Sequence, residues 1–156
     1  MLVTHDQSEA LSFADEVAIM HEGRFAQVGA PTEVYATPAD RHAAAFLGDA
    51  VFLRGRAEGT SVATALGRLK VHQPAPAGTV DVLLRPEQIH LGSVAPGHPC
   101  AEVLSTTYFG HDALVALRLQ GDHTVVTARI HGTEVPSTGT IVGLSVIGEA
   151  RAFTPA

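Results

Sequence analysis

The sequence predicts a mainly β protein: a small closed or nearly closed β-barrel, preceded by a short α/β segment. Helical periodicity is confined to about the first 48 of the 156 residues. From about residue 49, short β-rich runs alternate with glycine and proline breaks. Many short strands at this spacing favour closure, because a closed sheet leaves no unpaired edge on which other chains could aggregate.

The elements follow in order. Met1–Val3 is a short apolar run that would deliver Thr4 and His5 to a strand end, with Asp6-Gln7-Ser8-Glu9 opening a helix. That helix is expected over 8–14, where Ala10, Leu11 and Ala14 share one side. Residues 17–20 and 25–28 flank His21-Glu-Gly-Arg24 and read as a β-hairpin with Gly23 in the turn. Pro31 opens a helix through Tyr35, since a first-turn proline loses no helical hydrogen bond. A further helix begins near Thr37-Pro38, with Asp40 at the positive end of its dipole, and ends near Leu47 with Gly48 as its cap.

The expected strands of the β segment are 51–56, 61–65, 68–72, 79–85, 89–91, 101–107, 113–119, 124–130 and 141–147. Residues 114–119 and 125–130 show partial apolar/polar alternation, as a sheet with one wet face requires. Breaks fall at 73–78, 95–99 and 136–139. The chain therefore divides into 1–48 and 49–156.

Composition excludes several function classes. Hydrophobic residues make up 46% and charged residues 17%, a balance that builds a packed core rather than a disordered chain. No apolar run approaches the ~20 residues of a membrane helix, and the N-terminus lacks the basic-then-apolar pattern of a signal peptide. Cys100 is the single cysteine, so no internal disulfide forms, in keeping with a reducing cytosol. Residues 1–48 hold two arginines against seven carboxylates, net −5, and residues 49–156 hold eight basic against nine acidic groups, net −1. Neither segment has the basic footprint of a nucleic-acid binder. Phe52, Tyr108, Phe109 and Phe153 offer stacking faces, but on a slightly acidic module.

Val3-Thr-His-Asp-Gln-Ser-Glu-Ala10, Ala14-Asp-Glu-Val17, Glu22-Gly-Arg24, Gln27-Val-Gly-Ala-Pro31, Tyr35-Ala-Thr-Pro38 and Phe46-Leu-Gly48 stand in one order and spacing over nearly fifty residues. Together they resemble the tail of the nucleotide-binding domain in the ATP-binding subunit of ABC importers. Val82-Leu-Leu-Arg-Pro-Glu-Gln-Ile89, Thr107-Tyr-Phe-Gly-His111 and Gly139-Thr-Ile-Val-Gly-Leu144 resemble strands of the TOBE domain, an OB-like β module of sugar, polyamine and ferric-ion importers. The resemblance implies an incomplete α/β tail over 1–48 and a TOBE-type OB-like regulatory domain over 49–156. It also implies a cytoplasmic subunit, peripheral on the inner face of the membrane, that dimerises and drives permease subunits. Among substrates, the Arg85-Pro-Glu and Tyr108-Phe-Gly pattern slightly favours ferric ion over polyamine and sugar.

By the same resemblance His5 aligns with the family's switch histidine, which hydrogen-bonds the terminal phosphate of MgATP and helps hold the attacking water. The phosphate loop G-x-x-x-x-G-K-[ST], the signature loop and the strand ending in Asp-Glu precede that histidine in the family, and this sequence begins after them. Its nearest imitation, Gly59 through Gly67 to Lys70, has the wrong glycine spacing and no Gly-Lys-Ser/Thr. The expectation for this chain alone is therefore no ATP hydrolysis and no bound cofactor. His5 would then cap the helix or face solvent. Residues 1–48, lacking their neighbours, are expected to be mobile or rearranged, with apolar helix faces covered by another copy.

An alternative reading makes the β module a small-ligand sensor for oxyanions, although Lys70 is the only lysine. The other histidines show no metal-ligand spacing, and His98-Pro-Cys100 lacks a third partner. Arg85 and Glu87 bracket a proline turn, where an ion pair or a turn-stabilising role is expected. Tyr108 and Phe109 are expected to pack in a core or interface.

Overall fold

The computed structural model describes residues 1–132 and 134–155, and the chain divides into two compact units, Met1–Ala50 and Val51–Ala156.

In the first unit, helix α1 (Gln7–Phe13) precedes the hairpin β1 (Val17–His21) and β2 (Arg24–Gly29), then helices α2 (Pro31–Ala36) and α3 (Arg41–Phe46). The hairpin turns tightly because Glu22 and Gly23 both take positive φ, at 50° and 75°, while His21 pairs with Arg24. The Asp40 carboxylate accepts from the Ala43 amide at 2.7 Å and starts α3. Gly48, at positive φ, follows the last helical turn. Gln27 on β2 fastens the turn between α2 and α3, donating to the Thr37 carbonyl at 3.0 Å and accepting from the Ala39 amide at 2.7 Å.

The apolar core of this unit is small: Ile19, Val34, Ala43 and Leu47, with Leu11, Ala26 and Tyr35 against it. Phe13, Met20 and Phe25 stay exposed, and α1 buries none of its residues. One expectation is corrected. Met1–Val3 is not a strand, and no regular element precedes Gln7. An extended segment gains its hydrogen bonds only from a neighbouring strand, and none pairs with it here.

The second unit carries β3 (Val51–Glu58), β4 (Ser61–Thr64), β5 (Gly67–Lys70), β6 (Gly78–Leu84), a 3-10 turn at Pro86–Gln88 and β7 (Ile89–Gly92). Then come β8 (Cys100–Tyr108), β9 (Asp112–Leu119), β10 (Val125–His131), β11 (Ile141–Val146) and β12 (Arg151–Phe153). All nine expected strands are present within a few residues. The short β12 is an addition.

The strands form two five-stranded sheets, in the orders β12-β6-β3-β4-β5 and β10-β9-β8-β11-β7. The first closes on itself. Val71, just after β5, bridges in parallel to Ala150, just before β12, with His72 N–H donating to the Ala150 carbonyl at 3.1 Å and Ala150 N–H to the Lys70 carbonyl at 2.8 Å. Around the ring the strands run β3, β4, β5, β12, β6 and back to β3. In the second sheet β10 lies against β7, so that ring runs β8, β9, β10, β7, β11 and back to β8. Both rings share one OB-like arrangement, a three-strand meander with the remaining strands returning in Greek-key fashion. In the second, the strand in β12's position comes first in the chain rather than last.

One continuous apolar core joins the two barrels, including Val62, Val82, Leu84, Ile89, Val103 and Leu117. Strand β6 is central in its sheet and buried from Val80 to Leu84, and it carries the chain directly into the turn that starts the second barrel. That turn positions the candidate site of this unit.

Candidate functional site

In the first unit the candidate is the turn into α1. The Thr4 hydroxyl accepts from the Asp6 amide at 3.0 Å, and the Asp6 carboxylate accepts from the Glu9 amide at 3.0 Å. Asp6, not His5, is therefore the helix cap. This leaves the His5 imidazole exposed at the bend preceding the helix. A histidine so held can donate to or accept from a group outside the unit, and its backbone is braced by the hydrogen bonds on either side of it.

The phosphate-loop imitation has no such context. Gly59 lies in the turn between β3 and β4, and Gly67 opens β5 after the next hairpin turn. A phosphate cradle needs a loop running from a strand into a helix N-terminus. These residues do not fit ATP.

In the second unit the candidate is the Arg85–Gln88 turn. Arg85 and Pro86 are buried. The Arg85 amide donates to Gln88 Oε1 at 2.9 Å, and the Gln88 amide returns a bond to the Arg85 carbonyl at 2.9 Å. Gln88 Nε2 then reaches the carbonyls of Ile147 at 3.2 Å and Glu149 at 3.0 Å. Gln88, which sequence reading passed over, stabilises the turn where an ion pair or a turn-stabilising role was expected of Arg85 and Glu87. Its signal was the Gln three residues after the turn's first residue, the half of a capping box that reaches back to an amide.

Two buried carboxylates also went unread. Asp81 on β6 is paired across the ladder with Arg54 at 3.1 Å. Asp112, at the start of β9, is held by Arg129 on β10 and approached by His111 Nε2 at 3.5 Å. The Arg129 hydrogen bond holds the Asp112 carboxyl below the usual aspartate range against the opposing effect of burial, with the nearby charges of Arg129, His111 and His131 adding to it.

The structure brings together His21 and His42, whose rings stack with centroids 3.7 Å apart. It does not bring His98 and Cys100 together as ligands: Cys100 Sγ meets the His98 backbone carbonyl at 3.6 Å. Among the described residues, no group of three or more His, Cys, Asp or Glu side chains is placed to hold a metal ion. Among the described residues, no helix is long and apolar enough to cross a membrane. Tyr108 and Phe109 are not in the core. They stand exposed at the β8–β9 hairpin, the Tyr108 hydroxyl bonded to the Gly110 carbonyl.

Residues 82–152 match the TOBE domain. Over 98% of its length the chain is 45% identical to the Fe(3+) ions import ATP-binding protein FbpC 2 of Rhodococcus jostii (strain RHA1). It is 40% identical over the same share to the FbpC protein of Pseudomonas fluorescens (strain Pf0-1). The chain spans 45% of the length of each of these relatives. Among solved structures, the cytoplasmic molybdate-binding protein ModG superposes with a TM-score of 0.52 at 15% identity, covering 67% of this chain and 96% of that one. This last likeness is one of fold, and it matches a mainly β, OB-like architecture. The chain is thus similar over nearly its whole length to about half of these Fe(3+) import ATP-binding proteins, and residues 82–152 within it match the TOBE domain.

Proposed function

We propose that this chain serves a ferric-ion ABC importer as the C-terminal part of its ATP-binding subunit. Residues 1–48 are the tail of the nucleotide-binding domain and residues 49–156 the regulatory β module. The observation that carries the reading is identity of 45% over 98% of the chain to a relative named for Fe(3+) import.

In this reading His5 is the switch histidine, presented by the Asp6 cap toward a nucleotide held by the rest of the subunit. The subunit dimerises, takes MgATP and drives permease subunits from the cytoplasmic face of the membrane. By itself the chain neither binds ATP tightly nor hydrolyses it, because the residues present include no phosphate cradle.

A chimera tests this directly. Residues 1–156 replace the corresponding segment of the Rhodococcus jostii FbpC 2 protein, and phosphate release from MgATP is measured for the chimera and for the chain alone. The expected result is hydrolysis by the chimera that falls at least tenfold on His5→Ala, and none above background from the chain alone. Metal-dependent, His5-sensitive phosphate release by the isolated chain would overturn the reading. So would a chimera indifferent to His5→Ala.

A further inference from the structure

We propose that the outward face of the first barrel is a docking surface for an acidic protein segment, gripped by Arg56 and Lys70 between the flanking cations Arg54 and Arg68. Strand alternation places these side chains together. On β3, Val51, Leu53 and Ala57 point into the core, so Phe52, Arg54, Arg56 and Glu58 point out. On β5, Leu69 is buried between Arg68 and Lys70, which face outward. The ladders align Arg56 with Ala63 on β4 and, one strand further, with Arg68. The next row holds Glu58, Ser61 and Lys70. All four cations are exposed.

Four of the ten Lys and Arg residues of a chain with net charge −6 thus share one sheet face. Two carboxylates stand among them, and each is already held. Asp81, buried on β6, pairs with Arg54 at 3.1 Å. Glu58 pairs with Arg68, which also donates to Ser61 Oγ at 3.1 Å. Among the described residues, the Arg56 and Lys70 side chains carry no ion pair. Their row neighbours are small, Ala63 and Thr79 beside Arg56 and Ser61 beside Lys70, so both charges stand clear.

Charge and spacing select the occupant. Arg56 and Lys70 are two strands and two residues apart, about 12 Å between backbone positions, a span that an extended peptide covers in about four residues. A small anion meets one of these cations at a time, whereas a segment with two spaced carboxylates meets both, with the guanidinium fork taking one of them in two parallel bonds. A nucleic-acid strand fits less well. Its charge repeats at every step and is repelled by Glu58 in the Lys70 row, and Ala63 and Ser61, not aromatic rings, fill the ground between the cations.

Fluorescence anisotropy of the whole chain with a fluorescein-labelled poly-glutamate peptide tests the surface. Saturable binding is expected, weakened about fivefold or more when Arg56→Gln and Lys70→Gln are combined, the range for two exposed charge pairs. The control is Arg118→Gln, which removes an exposed arginine paired with Glu102 on the second barrel at 3.3 Å and should change affinity by no more than about twofold. Circular dichroism should show the fold retained in both variants. Absence of saturable binding would overturn the proposal. An Arg118→Gln loss equal to that of the double variant would do so too, since it marks unspecific attraction. Oligothymidylate binding more tightly than poly-glutamate, with the same dependence on Arg56 and Lys70, would replace the acidic segment with a phosphate backbone.

Discussion

Gln88 and Glu149 are 61 residues apart in sequence, yet the Gln88 side-chain amide donates to the Glu149 backbone carbonyl at 3.0 Å. The same nitrogen reaches the Ile147 carbonyl, and the side-chain oxygen accepts from the Arg85 amide. One side chain thus ties the entry of the second barrel to its exit. Gln88→Ala should lower stability by about 1–3 kcal/mol, the cost of leaving backbone groups without partners. Gln88→Glu, which keeps the acceptor and loses the donor, should recover only part. Urea melts of the three proteins measure this.

A close backbone approach makes Gly143 sensitive where its ladder partner is tolerant. A Cβ on Gly143 would stand 2.2 Å from the Ser93 carbonyl oxygen, whereas one on Gly92 would meet nothing within 4 Å. Gly143→Ala should therefore cost about 1–3 kcal/mol through a forced backbone shift. Gly92→Ala should stay within about 0.5 kcal/mol of the parent. Thermal melts of the pair decide whether the contact is as tight as it stands.

Acid should act through Asp112. Its carboxyl is held below the usual range chiefly by Arg129, so its contribution to stability is present above the ordinary aspartate range and is lost as pH falls through the lowered value. Arg129→Gln leaves burial as the dominant influence and should move the acid unfolding transition to higher pH. Asp112→Asn should flatten the acid dependence instead. Circular dichroism from pH 7 to pH 2 follows both.

Core and surface of the second barrel should separate cleanly. Leu117 is fully buried, and Leu117→Ala should cost about 2–5 kcal/mol. Val125 on the neighbouring strand β10 is 56% exposed, and Val125→Ala should change stability by no more than about 0.5 kcal/mol. Equal losses in chemical denaturation would contradict the inward and outward assignment of these strands.

The turn into α1 separates structure from chemistry. Asp6→Ala removes the cap bond to the Glu9 amide and should cost about 1 kcal/mol of helix stability. His5→Ala removes an exposed side chain that caps nothing and should leave the helix unchanged. Carbon chemical shifts of residues 7–13 report both.

Much of the fold was legible because the signals are local. Pro31 at a helix start, Gly23 in the hairpin turn and alternation over 125–130 each act within a few residues, and those elements appear where the signals stand, whereas the helix expected from near Thr37-Pro38 starts at Arg41 with Asp40 as its cap. The misses are non-local. Met1–Val3 has a strand's composition without a strand's partner, and β12 is three residues long with pairing supplied by β6 and the Val71–Ala150 bridge. Gln88 looked like an ordinary polar residue because the carbonyls it satisfies lie some sixty positions downstream.

By itself the sequence determined the order of elements, the mainly β class, the family resemblance and the position of His5 just ahead of a helix. These depend on periodicity, turn chemistry and motif spacing, all carried by neighbouring residues. The tertiary structure alone decided that the β segment is two barrels on one core, that the second has its strands in permuted order, and that one bridge at Val71 and Ala150 closes the first. Closure joins residues far apart in the chain, and its free energy comes from burying both barrels' apolar faces together, which no local pattern encodes.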